Sequence, residues 1–422
     1  MEGNIESTAL ITNDAVVFGI LMMLLAFIFY TSSSKNLAWT KFYKVIPALL
    51  LCYFLPSVLN SMGVISGEAS NLYFVASRYL LPSSLVLLCL SIDMKGILKL
   101  GPKAIIMFFT GTVGIILGGP IAILAVSAFA PEIIGGSGPD EVWRGLATVA
   151  GSWIGGGANQ TAMKEIYGAS DELFSAMITV DVIVANIWMA FLLIGAGMSE
   201  RVDKIFKADS SAITEVKETI QNYRQGISKI ANLTDIMIIC AIGFGGTAIA
   251  HFGADIITPL MEAKKEWLVE YRLTSMASKF FWLVVIATII GLVLSFTKLK
   301  KYEGAGASKF GSAFLYVLVA TIGMKMDVLA IFDNIGLFLV GILWMLVHVI
   351  LLLLVAKLIK APFFFVAVGS QANVGGAASA PIVASAFSPA LAPVGVLLAV
   401  FGYAVGTFGA IICAQLMQVV SQ

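Results

Sequence analysis

The chain has 422 residues, of which 59% are hydrophobic and 12% charged, with a formal net charge of +1. Soluble domains carry about 25% charged residues, so the composition excludes a water-soluble globular protein, and the near-neutral balance gives no basis for a nucleic-acid partner. Cys52, Cys89, Cys240 and Cys413 stand singly inside apolar runs. That argues against a disulfide framework or a cysteine metal site and leaves them as packing residues.

The opening MEGNIESTALITND lacks a basic n-region, so the first apolar run is expected to be a retained span. Runs long enough to cross a hydrocarbon core, about 18 residues, fall near 15–31, 45–64, 72–91, 104–130, 142–163, 173–198, 233–252, 280–297, 310–325, 335–356, 361–386 and 390–418. They are continuous rather than alternating, which predicts helices and not the strands of a lipid-facing barrel. Between the sixth and seventh runs, 199–232 carries mixed charges in a helical pattern and reads as a polar linker. A second amphipathic stretch, 255–276, with Lys264, Lys265, Glu266, Glu270 and Arg272, reads as interfacial.

Lysine and arginine collect in cytoplasmic loops. Lys35, Lys41 and Lys44, then Lys95, Lys99 and Lys103, mark inner loops of the first half, while Glu68 and 131–141 mark outer ones. In the second half, Lys298, Lys300, Lys301 and Lys309, then Lys357 and Lys360, mark inner loops, and Asp327 and Asp333 the opposite side. The N-terminus is expected outside and the C-terminus cytoplasmic, in a bacterial plasma (inner) membrane.

The segment 151-GSWIGGGANQTAM-163 resembles 369-GSQANVGGAASAP-381, and Asp93 and Asp327 follow apolar runs at matching places. Two related halves joined by 199–232 follow, inverted by the lysine pattern, as in secondary transporters. Six spans per half would not invert the second half, so the span count and the lysine pattern disagree.

Glycines and small polar residues weaken a spanning helix and free backbone groups that lipid cannot satisfy. Gly155, Gly156 and Gly157 precede Asn159, Gln160 and Thr161; Gln371 and Asn373 precede Gly375, Gly376 and Ser379. If both segments break near mid-membrane and cross, four half-helix ends meet. Their N-terminal ends suit an anionic group and their free carbonyls a hard cation. Asp181 lies deep in an otherwise apolar run, where an ionisable side chain marks an ion or proton path. Arg78 near a span start, His348 among leucines, and Lys164 and Glu165 near a helix end carry weaker signals.

The strings GSWIGGGANQTA and GSQANVGGAASAP, with ASRYLLPSSLVLL and FLYVLVATIGMKMD, resemble the YjcL-like family of uncharacterised multi-spanning membrane proteins over nearly the whole chain. That family is similar, more distantly, to the monovalent cation/proton antiporter and bile-acid/sodium symporter superfamily. This resemblance implies an inverted repeat with two crossed, broken helices and sodium contacts at Asn159, Thr161, Gln371 and Asn373. The sequence departs from the symporter pattern at Ala158 and Ala372, and has no glutamate beside Gln371. An acidic residue placed as Asp181 fits the antiporter branch, without a lysine partner.

The resulting expectation is an all-α polytopic membrane protein with about 12–13 transmembrane helices in two inverted repeats and a sodium/proton antiporter-like fold. Residues 1–100 and 233–330 form scaffolds; 101–198 and 331–422 form cores, containing the broken helices 142–163 and 361–386. The function expected is sodium- or proton-coupled symport of a small anionic or zwitterionic organic solute by an elevator-like, alternating-access mechanism. The solute contacts would be Ser152, Asn159, Gln160, Ser370 and Ser379, and the ion-coupling residues Asn159, Thr161, Asp181, Gln371 and Asn373. The alternative is a monovalent cation/proton antiporter using Asp181. No nucleophile with a base, ligand cluster or paired carboxylates points to an enzyme, and no cofactor is implied. Membrane lipids, the solute and, by analogy, a second copy in a homodimer are the expected partners.

Overall fold

The computed structural model describes residues 9–46, 48–67, 69–208, 213, 230–270, 274–325, 336–388 and 391–421. Among them the chain is helical, with one isolated bridge between Ile11 and Ile65. The helices that matter are α1 (Asp14–Ser32), α2 (Leu37–Val45), α3 (Ala48–Ser61), α4 (Leu72–Leu90), α5 (Pro102–Ser127), α6 (Val142–Gly155), α7 (Gly157–Tyr167) and α8 (Asp171–Gly197). They continue with α9 (Ser199–Phe206), α10 (Leu233–Glu262), α11 (Lys279–Ser295), α12 (Ala307–Gly323), α13 (Gly336–Ile359), α14 (Phe363–Val374), α15 (Gly376–Phe387) and α16 (Ala392–Val420).

Seven of these, α1, α4, α5, α8, α10, α13 and α16, are long and apolar enough to cross a membrane. Their starts follow local chemistry. The Asn13 side chain accepts from Ala15 and Val16, Ser170 from Leu173, and Asn232 closes a capping box with Asp235. α4 contains a π-turn at Ala76–Leu80 that holds Arg78. α10 runs unbroken through Glu262, so the first third of the stretch expected to lie at the interface is the end of a span; a short helix, Lys265–Glu270, follows it. Of the linker, α9 is described, whereas 209–212 and 214–229, like Glu68, Asp327 and Asp333, lie outside the described residues.

Both glycine-rich segments break where their composition says they should, at Gly156 (φ 77°) and at Gly375–Gly376 (φ 58° at Gly376). Neither continues onward as a broken span. At the base of the first, the Arg144 guanidinium donates to Tyr167 O (2.5 Å) and Ser170 N–H to Pro139 O (3.0 Å). At the base of the second, the Phe364 and Phe387 rings lie 5.3 Å apart. Each segment is therefore a helical hairpin, α6–α7 and α14–α15, that doubles back on itself, in place of the broken helix running on in one direction expected from the sequence. A glycine with positive φ frees the chain to reverse as readily as to go on, and the composition does not choose between them.

The hairpins change the bookkeeping of sides. Asp14 accepts from Ser70 and Asn71 at the start of α4; Tyr73 and Arg78 hold Glu165; and Tyr167 reaches Ile411 O in the last third of α16. The start of α1 and the end of α16 thus share one face of the bundle. The expected arrangement of opposite sides for the two ends does not hold, because α6–α7 and α14–α15 each return to the face they left. The lysine-bearing loops cluster on the other face, where Lys300 bridges to Asp93 and Lys103 donates to Lys360 O.

Packing divides the helices into two groups. α5, α6, α7, α8, α13, α14, α15 and α16 pack chiefly on each other; α1, α3, α4, α10, α11 and α12 do the same, with sparser contacts between the groups. α6 and α16 come close together, since a Cβ on Gly406 would lie 2.3 Å from Gly155 Cα. The paired glycines let the two backbones come that near.

Candidate functional site

Hairpins of 11 to 14 residues per arm reach about 16–21 Å, which is roughly half to two-thirds of the ~30 Å hydrocarbon core. The two are rooted on opposite faces and their tips touch: a Cβ on Gly376 would lie 4.0 Å from Gly156 Cα. The N-termini of α7 and α15, each with about half a positive charge from its free N–H groups, therefore meet the C-termini of α6 and α14 inside the protein. Such a junction can hold an anion at the N–H groups and a cation at the carbonyls.

The first hairpin is tied to α8 by Asp181. Its Oδ1 accepts from Trp153 Nε1 (2.6 Å) and its Oδ2 from Gln160 Nε2 (2.9 Å), so one buried carboxylate binds an arm on each side of the Gly156 turn. Ser152 stands beside Trp153 on α6, one turn before the Gly156 break. Two charge-assisted bonds satisfy the carboxylate in a setting where an isolated one would be prohibitive.

Asn159 and Asn373 share one pattern. Asn159 Nδ2 donates to Gly155 O (3.1 Å) and Tyr403 O (3.0 Å), and its Oδ1 accepts from Thr407 (2.6 Å). Asn373 Nδ2 donates to Gly369 O (2.9 Å) and Phe108 O (3.0 Å), and its Oδ1 accepts from Thr112 (2.7 Å). Each asparagine thus fastens a hairpin arm to a long neighbour, α16 or α5. Thr161 donates to Gly157 O (3.1 Å) within its own helix.

At the second tip Gln371 Nε2 donates to Ser379 Oγ (2.7 Å), bridging the two arms over Gly375. Gln371 Oε1 is buried and has no hydrogen-bond partner among the described residues. A buried amide oxygen without a donor is costly, and here it lies at the junction of the hairpins. Ser370 faces elsewhere, in a chain whose direction follows from its ends. His348 Nδ1 must donate to Gly111 O (3.0 Å), so with a neutral ring Nε2 accepts from the Ser370 hydroxyl (2.8 Å), which itself accepts from Trp188 Nε1 (2.8 Å).

The junction thus brings together Ser152 and Gln160 of one hairpin, with Asp181 of α8 behind them, and Gln371 and Ser379 of the other, while Asn159 and Asn373 work as clasps and Ser370 joins the histidine chain. Sequence reasoning missed Trp153, Thr112 and Thr407. The deep tryptophan in GSWIGGG was the available signal for the first; nothing local marks the threonines. Arg78, Lys164 and Glu165, weak signals taken singly, form with Tyr73 and Asp171 a polar cluster at the base of the first hairpin, on the face of the chain ends. There Glu165 accepts from Tyr73 and from Arg78 (2.9 Å), Lys164 pairs with Asp171, and Lys325 stands 4.0 Å from Asp171. Among the described residues no group of three His, Cys, Asp or Glu could hold a metal ion.

Comparison with known proteins agrees with a membrane protein and adds no activity. The uncharacterized membrane protein YjcL of Bacillus subtilis (strain 168) is 24% identical over 374 residues, covering 83% of this chain and 85% of the relative. The family described as protein of unknown function (DUF819) matches residues 19–420, and the chain belongs to that family.

Proposed function

We propose that the protein is a secondary active transporter that moves a small anionic or zwitterionic organic solute together with sodium or protons. The observation that carries this reading is the meeting of two re-entrant hairpins, rooted on opposite faces, at Gly156 and Gly376. A solute held at that junction is close to both faces, and small movements of the surrounding helices expose it to one or the other. Solute contacts fall to Ser152, Gln160 and Ser379 with the free N–H groups of α7 and α15. Gln371 Oε1 and the carbonyls ending α6 and α14 suit the coupling cation, and the Asp181 carboxylate, which holds both arms of the first hairpin, couples ion or proton binding to their position. Asn159, Thr161, Asn373 and Ser370 act by holding the arms in place.

Each half then has five crossings and one hairpin, an odd number of crossings, so the second half is inverted relative to the first. This reconciles the lysine pattern with the segment count. The lysine-bearing face is cytoplasmic in a bacterial plasma membrane, with both chain ends outside. The group of α1, α3, α4, α10, α11 and α12 serves as a fixed frame and homodimer surface, and the hairpin group travels against it. The Arg78–Glu165 and Tyr73–Glu165 links join the two groups on the outer face and close the path there. No catalytic chemistry is assigned.

Asp181 favours a second reading, a cation/proton antiporter in which it exchanges the ions. The two are separated by reconstitution. Sodium alone shifts internal pH in an antiporter, whereas a symporter responds only with its solute. The first test is thermal unfolding of purified protein against amino acids, dipeptides and carboxylates, with and without sodium. Stabilisation by a carboxylate, strengthened by sodium, is expected. No response to any of them would overturn the reading.

A further inference from the structure

A cavity of about 690 Å³ lies between α1 and α12, against α4. Along α1 its wall runs from Phe18 through Met22 and Ala26 to Phe29, about 16 Å of helix through the middle of the span, long enough to line one acyl chain. The Phe29 and Tyr316 rings, 4.7 Å apart edge to face, form part of that wall. The lining is apolar except at one end, where Ser308, Lys309 and Ser312 stand on the first turns of α12.

That end is on the lysine-bearing face. Lys298, Lys300 and Lys301 lie just before α12; Lys300 is taken up by Asp93, whereas Lys309 is exposed. The nearby carboxylate, Glu303, is engaged by the Ser91 hydroxyl (2.5 Å) and by the Ser308 N–H (3.0 Å) and hydroxyl (2.7 Å), which fix its oxygens on neutral donors. An apolar groove of acyl-chain length ending in the exposed Lys309 side chain and the Ser312 hydroxyl matches an acyl chain joined to an anionic headgroup. We propose that this groove is a binding site for one anionic phospholipid of the lysine-side leaflet, its phosphate on Lys309 and one acyl chain along α1. The site is independent of what the hairpins carry.

Native mass spectrometry of the delipidated full chain, titrated with phosphatidylglycerol and with phosphatidylcholine of identical chains, tests this. One phosphatidylglycerol is expected to bind in preference to phosphatidylcholine. Lys309→Ala should weaken the glycerol lipid about five-fold and leave the choline lipid unchanged. Ala313→Trp, on an exposed lining position, should fill the groove and abolish that bound lipid while thermal unfolding stays as in wild type. Equal retention of the two lipids, or an unchanged preference in Lys309→Ala, would overturn the site. Dissociation of a dimer by Ala313→Trp without loss of lipid would give the groove to a second copy instead and equally overturn it.

Discussion

Asp181 allows the function and the stability of the junction to be separated by two substitutions. In Asp181→Asn the side chain keeps its size, one oxygen still accepts from Trp153 Nε1, and the new amide nitrogen faces Gln160. The Gln160 amide can turn over to present its oxygen, so both contacts survive as neutral bonds. Two charge-assisted bonds become ordinary ones, a loss of about 1 kcal/mol each, offset by removal of a buried charge. Stability should therefore change by no more than about 1 kcal/mol. Asp181→Ala instead leaves the Trp153 and Gln160 donors buried and unpaired, at about 1–3 kcal/mol each. The assay is thermal unfolding of both purified variants beside ion-driven solute uptake in proteoliposomes. Asp181→Asn should match wild type in unfolding and lose ion coupling; Asp181→Ala should lose both. Wild-type coupling in Asp181→Asn would refute the role of the carboxylate, and an Asp181→Ala as stable as Asp181→Asn would refute the clamp.

Gly156→Ala puts a Cβ on a residue at φ 77°, ψ −174°, a conformation essentially reserved for glycine, and should destabilise by about 1–3 kcal/mol, seen as a lower unfolding temperature. Gly197→Ala, at a glycine with nothing within 4 Å of an added Cβ and no positive φ, should be nearly neutral. Glu165→Gln weakens the link to Arg78 and should make a cysteine placed at Ser379 react faster with an impermeant thiol reagent from the face of the chain ends. An unchanged rate would remove that link from the closure. Asp203 on α9 accepts from Phe363 N–H at the start of the second hairpin (2.7 Å), and burial raises its carboxyl above the usual range. A raised folded value means that stability is greatest at acid pH and falls as pH rises through it. Asp203→Asn keeps the acceptor and should flatten that fall without loss at pH 7; Asp203→Ala should cost about 1 kcal/mol at every pH.

Seven of the twelve expected runs are helices long and apolar enough to cross a membrane among the described residues, legible because a continuous apolar run of about 18 residues suits a hydrocarbon core; the breaks were legible because glycine clusters sit inside two of the other runs. The reversal at Gly156 and Gly376 was not, since it depends on closures such as Arg144 to Tyr167 and Phe364 to Phe387 that leave no local pattern. That single ambiguity left the segment count at odds with the lysine pattern and put the chain ends on opposite faces. Asp181 stood out by its depth, yet its partners Trp153 and Gln160 come from another helix pair. Asn159 and Asn373 looked like ligands because amides in a membrane need a reason. Thr407 and Thr112, far along the chain, supply one that is structural.

The central claim, that the hairpin junction holds a solute carried by an ion gradient, is tested most directly by accumulation. Reconstituted protein given an inward sodium or proton gradient should concentrate inside the vesicles whichever carboxylate raises its unfolding temperature, and an ionophore that collapses the gradient should release it. If the stabilising solute only equilibrates across the membrane under both gradients, the protein is not a secondary active transporter of that solute.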